Sequence, residues 1–371
     1  MRFCFTARCR VINYASMTRL FLAFCATLLL APPATGAPPI PSEVLSPSVY
    51  LADAAAPDVA LWTRNAHDRA APGSTTKIMT CILTLEYCAP EALIPVPAEA
   101  LGLSGTRMGL KRGERYTARE LLYGLMLVSG NDAAVALAVY ISGSVEEFAA
   151  QMNEKAAALG MADTHFCNPH GLFHEEHYST SRDMAVLTAY ALENPVFCEI
   201  VGTAACELPA TRMHSSASHL KNTNKLISAA ADSPLHYAHA IGVKTGSTPR
   251  GGMALVSAAR RDGLTLICVM MGLTGADDDA SYRSNRRFSD SIALFEYEFD
   301  RRAAATTSAP SPSPPPLESE ADITAEPTPI DPVKQNDPAA DSPPALPLLA
   351  VAAVVALCCI LPYLRKSKRG L

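Results

Sequence analysis

A proline-rich, acidic stretch between residues 303 and 345 limits how much of this chain can fold. It contains the run Pro-Ser-Pro-Ser-Pro-Pro-Pro at residues 310–316, and acidic side chains continue as far as Asp341. It has no periodic pattern of apolar residues that could bury a core, so we expect an extended, disordered linker. The folded body therefore precedes the linker, in residues 38–300, a length at which one large domain is possible.

The start of the chain has the order of a secretory signal peptide. Arg19 precedes the apolar run 20–31, and small residues follow it. This order predicts a signal peptide over residues 1–36, with cleavage after Gly36. The leader is long, and Met17 would make a second start closer to the apolar run. We therefore expect the body to be exported.

A second apolar segment lies near the other end of the chain. Residues 346–364 are apolar, and the basic tail 365–371 follows at once. As a helix this run reaches roughly 28 Å, close to the hydrocarbon thickness of a bilayer. The pattern predicts one transmembrane helix in the cell membrane, with the body on the extracytoplasmic face and the tail in the cytoplasm.

The overall composition argues against two kinds of protein, a nucleic-acid binder and a small disulfide scaffold. Lys and Arg number 31 against 36 Asp and Glu, a formal net charge of -5, so no basic excess attracts a phosphate backbone. A body of this size has no need of disulfides, and we expect no obligatory bridge, with Cys81 and Cys88 as buried thiols. The cysteines of the body are Cys81, Cys88, Cys167, Cys198, Cys206 and Cys268.

Strand patterns open and close the body. Residues 48–53 and 59–63 flank a short turn and predict an opening hairpin. Residues 253–258 and 264–271 flank Asp262-Gly263, a strong signal for a tight hairpin turn. We expect the two hairpins to share one antiparallel sheet.

Helical patterns occupy the region between the hairpins and the end of the body. Residues 78–192 are rich in Ala and Leu at helical spacing. Phe288, Ile292, Phe295 and Phe299 recur at steps of four, three and four, which predicts a helix packed on the sheet. Together these patterns predict an α+β fold, an antiparallel sheet packed with helices plus a mostly helical lobe.

The first candidate for chemistry is the pair Ser74 and Lys77. Pro72 and Gly73 precede it, and the apolar spacing after it predicts a helix that starts near Ser74, so that both side chains point to one side. A lysine can take the serine proton only if burial and nearby positive charge lower its pKa. The alternative is a helix-capping serine with a solvated lysine. The same spacing also recurs at Ser218-His-Leu-Lys221.

Two further boxes favour the chemical interpretation. Ser129-Gly-Asn131 lies between two helical stretches, where a loop can present a hydroxyl and an amide to a cleft. Lys244-Thr-Gly246 follows a strand-like run, and its glycine would let a substrate backbone approach a sheet edge. Taken singly, each box could be an ordinary loop turn or strand end. Ser-x-x-Lys, Ser-x-Asn and Lys-Thr-Gly in this order are hard to obtain by chance.

With these boxes the chain resembles the D-alanyl-D-alanine carboxypeptidases, the low-molecular-mass penicillin-binding proteins of the serine peptidases. The resemblance extends from about Ser46 to Phe299. It implies a penicillin-binding/β-lactamase-like transpeptidase fold. The segments that carry the resemblance are residues 72–80, 127–134, 168–172, 177–180 and 242–247.

The resemblance implies a role for each residue of the first two boxes. Ser74 would attack the carbonyl between two terminal D-alanines of a peptidoglycan stem peptide, which releases D-alanine and leaves an acyl-enzyme. Lys77 would be the general base. Ser129 would relay a proton to the leaving amine, and Asn131 would bind the substrate amide and fix Lys77.

The third box would bind the substrate by the same resemblance. Lys244 would supply positive charge, and the Thr245 hydroxyl would bind the terminal carboxylate next to Gly246. The backbone N–H groups of Ser74 and Ser247 would form the oxyanion hole. The resemblance implies no metal or organic cofactor, and it implies β-lactam antibiotics as acylating inhibitors.

Two departures from the family limit what the resemblance implies. Many members carry a second β-rich domain and an amphipathic membrane helix, whereas here the linker follows the body almost at once. Position 247 is Ser where some relatives have His, so substrate preference does not transfer.

Alternatives remain at this point. A DD-endopeptidase would use the same residues on cross-links, and a non-catalytic β-lactam sensor would only be acylated. A β-lactamase would need a carboxylate for deacylation, for which Glu175 and Glu176 lie in the middle region. His170, His174 and His177 have a spacing that could offer nitrogens to zinc, but their loop context argues against a metal site.

Overall fold

The two predicted hairpins pair within one antiparallel sheet, as expected. The sheet has five strands, in the order β2 (Ala60–Arg64), β1 (Ser48–Asp53), β9 (Leu264–Leu273), β8 (Gly252–Arg261) and β7 (Ala240–Thr248). At the turn between β8 and β9, Asp262 has a φ of 52° and Gly263 a φ of 81°, the left-handed pair that a tight hairpin requires.

The computed structural model describes residues 44–274 and 280–308, without the side chains of 280–284 and 306–308. The predicted signal peptide 1–36, linker 303–345, membrane span 346–364 and tail 365–371 lie outside the described residues, apart from the first few linker positions. In the described part, no single helix is long and apolar enough to cross a membrane, although two bent helix pairs pass by length and composition alone.

A helical lobe covers one face of the sheet. Asn131 to Ala138 are all buried, so the central helix contacts its neighbours on every side. Thr117 and Glu120 form a reciprocal capping box at the start of one helix. The helices are α1 (Lys77–Tyr87), α2 (Ala118–Met126), α3 (Asn131–Ser142), α4 (Val145–Ala158), α5 (Ser181–Leu192), α6 (Pro195–Gly202) and α7 (Lys225–Ser228).

Two further sheets have two strands each. One pairs β3 (Leu93–Pro95) with β4 (Arg115–Thr117), and the other pairs β5 (Ala205–Leu208) with β6 (Ser218–Lys221). Both pairs are antiparallel. The long loop from β3 to β4 and the β5–β6 hairpin both contribute to the surfaces described below.

The last helix, α8 (Ala280–Ser308), packs on the sheet as predicted. Phe288, Phe295 and Phe299 are buried against sheet residues such as Leu51 and Leu255. Each buried aromatic ring contributes about 1.5–3 kcal/mol relative to an exposed one. The sheet is therefore enclosed between the helical lobe and α8. Cys81 and Cys88 are buried, and the six cysteines of the described residues are free thiols.

Candidate active site

Ser74 lies in a single turn of 3₁₀-helix, Gly73–Thr76, that leads into α1. This corrects the predicted helix start, because the α-helix begins at Lys77 and not at Ser74. The Thr75 hydroxyl donates to the Pro72 carbonyl at 2.7 Å, which tightens the turn. The Ser74 side chain caps neither the turn nor the helix, so its hydroxyl is available for chemistry.

Lys77 is fully buried behind this turn. Its Nζ lies 3.0 Å from Ser74 Oγ. It also donates to Asn131 Oδ1 at 2.8 Å and to the His170 carbonyl at 2.6 Å. Both of these oxygens can only accept, so each takes one N–H of the lysine. A neutral amine has two N–H groups and one lone pair, which leaves the lone pair for the Ser74 hydroxyl proton.

The charge state of Lys77 suits this arrangement. Burial, aided by the positive charge of Lys244, holds the pKa of Lys77 well below that of an exposed lysine. The Asp132 carboxylate opposes the shift by a smaller amount. The lysine therefore loses its proton far more readily than a surface lysine, as the Ser-x-x-Lys chemistry requires.

Ser129 is held in a strained turn between α2 and α3. Its φ is 61°, a left-handed conformation that few side chains adopt without compensation. The Thr106 hydroxyl donates to the Ser129 carbonyl at 2.7 Å. The Ser129 Oγ is buried and has no hydrogen-bond partner among the described residues. A buried hydroxyl without a partner is costly unless a ligand or water engages it.

Asn131 is the first residue of α3 and is buried. Its Oδ1 accepts from Lys77, and its Nδ2 donates to the Ser104 carbonyl at 2.7 Å. The amide is thus oriented by a loop on one side, and it orients the lysine on the other.

The carboxylate of Asp132 fixes the loop that covers this region. Its two oxygens accept the backbone N–H groups of Met108 at 2.8 Å, Gly109 at 2.7 Å and Leu110 at 3.0 Å. The N–H of Ala133 is a further donor at 3.0 Å. A buried carboxylate with this many donors is well satisfied. Asp132 therefore holds the 104–110 loop against the start of α3.

The third box lies on β7, which forms one edge of the five-stranded sheet. Lys244 is buried, and its Nζ donates to the Thr245 carbonyl at 3.2 Å. Burial and the charge of Arg287 lower the pKa of Lys244 to about 7. The Thr245 and Thr223 hydroxyls share a hydrogen bond of 2.7 Å, whereas Ser247 is exposed.

Glycines let these segments approach each other closely. A Cβ on Gly171, whose φ is 81°, would lie 1.8 Å from the Gly73 carbonyl oxygen. A Cβ on Gly246 would lie 2.7 Å from the Pro72 carbonyl oxygen. Larger residues at either position would separate the Ser74 turn from the 168–172 loop or from β7.

The predicted residues converge on one cleft of about 290 Å³. Residues from all three boxes line it, whereas Lys77 and Lys244 are buried and are absent from its lining. Of the predicted residues, the lining contains Ser74, Ser129, Asn131, Thr245, Gly246 and Ser247.

The sequence of this chain is similar to those of known proteins whose family has the three boxes found in the cleft. A sequence profile of the D-alanyl-D-alanine carboxypeptidase family matches residues 34–275. The chain belongs to this family. It is similar to D-alanyl-D-alanine carboxypeptidase DacF of Bacillus subtilis, at 36% identity over 217 residues, and to the D-alanyl-D-alanine carboxypeptidase of Streptomyces sp. strain K15, at 35% over 254 residues. The matches cover 57% and 64% of this chain, and 54% and 82% of those relatives.

Solved structures confirm the predicted fold class. A D-alanyl-D-alanine carboxypeptidase from Mycobacterium tuberculosis has a TM-score of 0.63 at 30% identity and covers 72% of this chain and 95% of its own. A variant of the Streptomyces K15 DD-transpeptidase has a TM-score of 0.62 at 32% identity, covering 69% of this chain and 98% of its own. The chain is thus a serine hydrolase of the DD-peptidase fold.

Sequence reasoning missed three contributors to this DD-peptidase site. Thr223 lines the cleft and hydrogen-bonds Thr245. Arg287 of α8 also lines the cleft, and it donates to the carbonyls of Gly246 and Ala254, both at 2.8 Å. His170 contributes its carbonyl to Lys77. His170 stands in a segment that carried the family resemblance, whereas nothing in the local sequence of Thr223 or Arg287 indicates a site.

The remaining candidates lie elsewhere. Glu175 and Glu176 are exposed, and neither lines the cleft. His177 is buried, and its Nε2 lies 2.8 Å from the Thr76 hydroxyl while its Nδ1 accepts from the Cys167 N–H. The described residues contain no group of three His, Cys, Asp or Glu side chains suited to a metal ion.

Proposed function

We propose that this chain is a serine-type D-alanyl-D-alanine carboxypeptidase that removes the terminal D-alanine from peptidoglycan stem peptides. One observation carries the proposal, namely the hydrogen-bond geometry of Lys77. A neutral Lys77 amine donates its two N–H groups to Asn131 Oδ1 and the His170 carbonyl. Its lone pair is then free to accept the proton of Ser74 Oγ, which lies 3.0 Å away. The same side chain is buried and has a lowered pKa.

Acylation would proceed as follows. The Ser74 hydroxyl proton moves to Lys77 Nζ while Oγ bonds to the carbonyl carbon of the penultimate D-alanine. The carbonyl electron pair moves onto oxygen, which the Ser74 and Ser247 N–H groups stabilise by about 3 kcal/mol per donor. When the C–N bond breaks, the Lys77 proton passes through the Ser129 hydroxyl to the leaving amine. D-Alanine departs, and an ester on Ser74 remains.

Deacylation would repeat the proton transfers with water. A water proton moves to the Lys77 amine, and the water oxygen bonds to the ester carbon. The bond from that carbon to Oγ breaks, and Ser74 takes back a proton from Lys77. The net reaction consumes one water and returns the free serine. The cleft lining contains no carboxylate that could replace Lys77 in this step, which favours a carboxypeptidase over a β-lactamase.

Cations around β7 would recognise the substrate carboxylate. Lys244 is buried next to the cleft, and Arg287 adds a second positive charge in the cleft wall. The Thr245 and Thr223 hydroxyls share a hydrogen bond. When Thr223 is the donor in this bond, the Thr245 hydroxyl can donate its own proton to a carboxylate oxygen of the substrate. Asn131 can also contact the substrate amide with its second N–H. A free carboxylate on the C-terminal residue is what separates the carboxypeptidase substrate from an internal peptide bond.

The test uses residues 37–302 with diacetyl-Lys-D-Ala-D-Ala. We expect D-alanine release by the wild type, and a loss of about 10⁴-fold or more in Ser74→Ala. Ser247→Ala is the matched control, because it removes a hydroxyl in the same cleft and keeps the backbone N–H. Cleavage of cross-linked dimers into monomers, without D-alanine release, would indicate an endopeptidase. Acylation by penicillin without any peptide cleavage would indicate the sensor, and rapid penicillin turnover would indicate a β-lactamase.

β-Lactam antibiotics would acylate the same serine. Their strained amide would react with Ser74 as the peptide carbonyl does, and their carboxylate would take the place of the substrate carboxylate near Lys244. Because the penicilloyl group stays attached after the ring opens, we expect a slowly cleared ester on Ser74.

We further propose that the chain is exported and anchored in the cell membrane by residues 346–364. The support is the sequence pattern alone, an apolar run followed by the basic tail 365–371. Membrane fractionation of the full chain and of a chain ending at residue 302 tests this. We expect the first in the membrane pellet after a salt wash and the second in the soluble fraction. The same distribution for both chains would contradict the anchor.

A further inference from the structure

A second concave surface lies farther along the loop that lines the cleft. The turn at residues 112–115 and the tip of the β5–β6 hairpin enclose a pocket of about 320 Å³. Three exposed arginines line it, namely Arg112, Arg115 and Arg212. We refer to these three residues and their surroundings as the arginine pocket.

A buried glutamate forms the floor of the arginine pocket. Glu114 accepts from the Thr211 hydroxyl at 2.6 Å, from the Tyr116 hydroxyl at 3.1 Å and from the Lys111 N–H at 2.9 Å. The His214 ring adds a contact at 3.4 Å. Glu114 therefore ties the two loops together. Its oxygens are already engaged, and one carboxylate cannot also neutralise three guanidinium groups.

The three arginines are not paired with a carboxylate in the described part of the chain. None of their guanidinium groups forms an ion pair or hydrogen bond with another described residue. Arginines on other faces behave differently, since Arg69 and Arg182 each contact a carboxylate. A concave surface with unneutralised guanidinium groups is suited to a carboxylate, which the arginine fork can bind with two parallel hydrogen bonds.

Chain connectivity links the arginine pocket to the cleft. Thr106 lines the cleft and Arg112 lines the pocket, and both lie on one loop. Six residues span at most about 21 Å. Asp132 fixes the middle of this loop through Met108, Gly109 and Leu110. The two surfaces are therefore held at a fixed separation that a peptide of a few residues can bridge.

We propose that the arginine pocket binds a carboxylate carried by the same peptide whose C-terminal end lies at Ser74. The inference rests on the proposed carboxypeptidase function and adds a specificity to it. Peptides with an acidic residue upstream of the scissile bond become better substrates than their amide counterparts. The pocket takes no part in the bond-breaking steps.

The test is a series of peptides ending in Lys-D-Ala-D-Ala, each with one D-glutamate placed three to six residues upstream of the scissile bond. Each peptide has a partner with D-glutamine at the same place. The comparison is the ratio of kcat/KM within each pair. In the wild type we expect the acidic member to be favoured about two- to fivefold at one or two spacings. In the combined variant Arg112→Gln, Arg115→Gln, Arg212→Gln the ratio should fall to about one.

Lys221→Gln is the matched control, because it removes an exposed charge from the same β5–β6 hairpin outside the pocket. It should keep the wild-type ratio. Cleavage of diacetyl-Lys-D-Ala-D-Ala should be unchanged in all variants, which shows that the site at Ser74 is intact. A ratio that is the same in the wild type and the combined variant at every spacing overturns the inference. Absence of D-alanine release from every peptide by the wild type would instead refute the proposed function.

Discussion

At the scale of single residues, the site depends on two buried lysines with opposite duties. Lys77 has to be neutral to accept the Ser74 proton, whereas Lys244 has to be charged to attract a carboxylate. Both pKa values are lowered, first by burial and then by a neighbouring cation, Lys244 for Lys77 and Arg287 for Lys244. Activity therefore requires a neutral Lys77 together with a charged Lys244.

The pH dependence of peptide cleavage follows from these shifts. With a peptide substrate, kcat/KM should rise with pH as Lys77 loses its proton, and should fall again above a pH of about 7 as Lys244 loses its proton. A bound carboxylate stabilises the Lys244 cation, so the alkaline limb of kcat should lie at higher pH. Lys244→Arg should lack the alkaline limb, because arginine stays charged. The same alkaline limb in that variant would refute the assignment.

Ser129 provides a second prediction at this scale. Its hydroxyl is buried and has no partner in the described part of the chain, so removing it leaves no protein group unpaired. We expect Ser129→Ala to keep its thermal stability and to lose about 10²- to 10⁴-fold in peptide kcat, because the proton relay is gone. Stopped-flow acylation and a melting curve measure the two effects. Unchanged acylation would mean that the proton reaches the leaving amine by another route.

The residues of the motifs could be predicted from the sequence because the functional side chains of each box lie within four consecutive positions. Ser74, Lys77, Ser129, Asn131 and Lys244 all come to the cleft or directly behind it. Contacts between distant segments could not be predicted in this way. The charge of Arg287 reaches the cleft from α8, and its position depends on how that helix packs on the sheet.

At the scale of elements, the 3₁₀ turn of Ser74 lies in close contact with the 168–172 loop and with β7. Asp132 holds the 104–110 loop against α3. The predicted helix at Ser74 was wrong in its first turn, because the Thr75 hydroxyl bonds to Pro72 and closes a 3₁₀ turn. The periodicity of Ile78 and Ile82 indicates that a helix is present, but it carries no information about how the first turn is wound.

The hydrogen bonds from the 104–110 loop to the Asp132 carboxylate give a prediction for substitution of Asp132. An amide at this position would accept with one oxygen only, so Asp132→Asn should lower the free energy of unfolding by about 1–3 kcal/mol. It also removes the anion that raises the pKa of Lys77, so the acid limb of kcat/KM should move to lower pH. Chemical denaturation and a pH profile measure the two effects. Loss of stability with an unshifted acid limb would restrict Asp132 to a structural role.

At the scale of the whole molecule, the sheet is enclosed between the helical lobe and α8. The hairpins and the final helix could be predicted because the alternation of apolar residues and the Asp-Gly turn are local signals. The strand order β2-β1-β9-β8-β7 could not be predicted, because it pairs segments about 200 residues apart in the chain. Contacts between such distant segments leave no local pattern in the sequence. The predicted leader, linker and anchor remain predictions.

The covering role of α8 is testable through Phe295. This ring is buried against the sheet, and it stacks with Tyr237 at a centroid distance of 6.1 Å. We expect Phe295→Ala to lower the free energy of unfolding by about 3–5 kcal/mol, while the acylation rate at low temperature stays within a few-fold of the wild type. Tyr297→Ala, on the same helix, is the control. A small effect on stability would mean that α8 is dispensable for the core.

The central claim is that Ser74 is the nucleophile and that a free amine on Lys77 activates it. The most direct measurement is the mass of the protein and of its tryptic peptides after reaction with benzylpenicillin. The account predicts one adduct, on the peptide that contains Ser74, formed at least about 10²-fold more slowly in Lys77→Met. An adduct on Ser129 or Ser247, or equal acylation rates with and without Lys77, would contradict it.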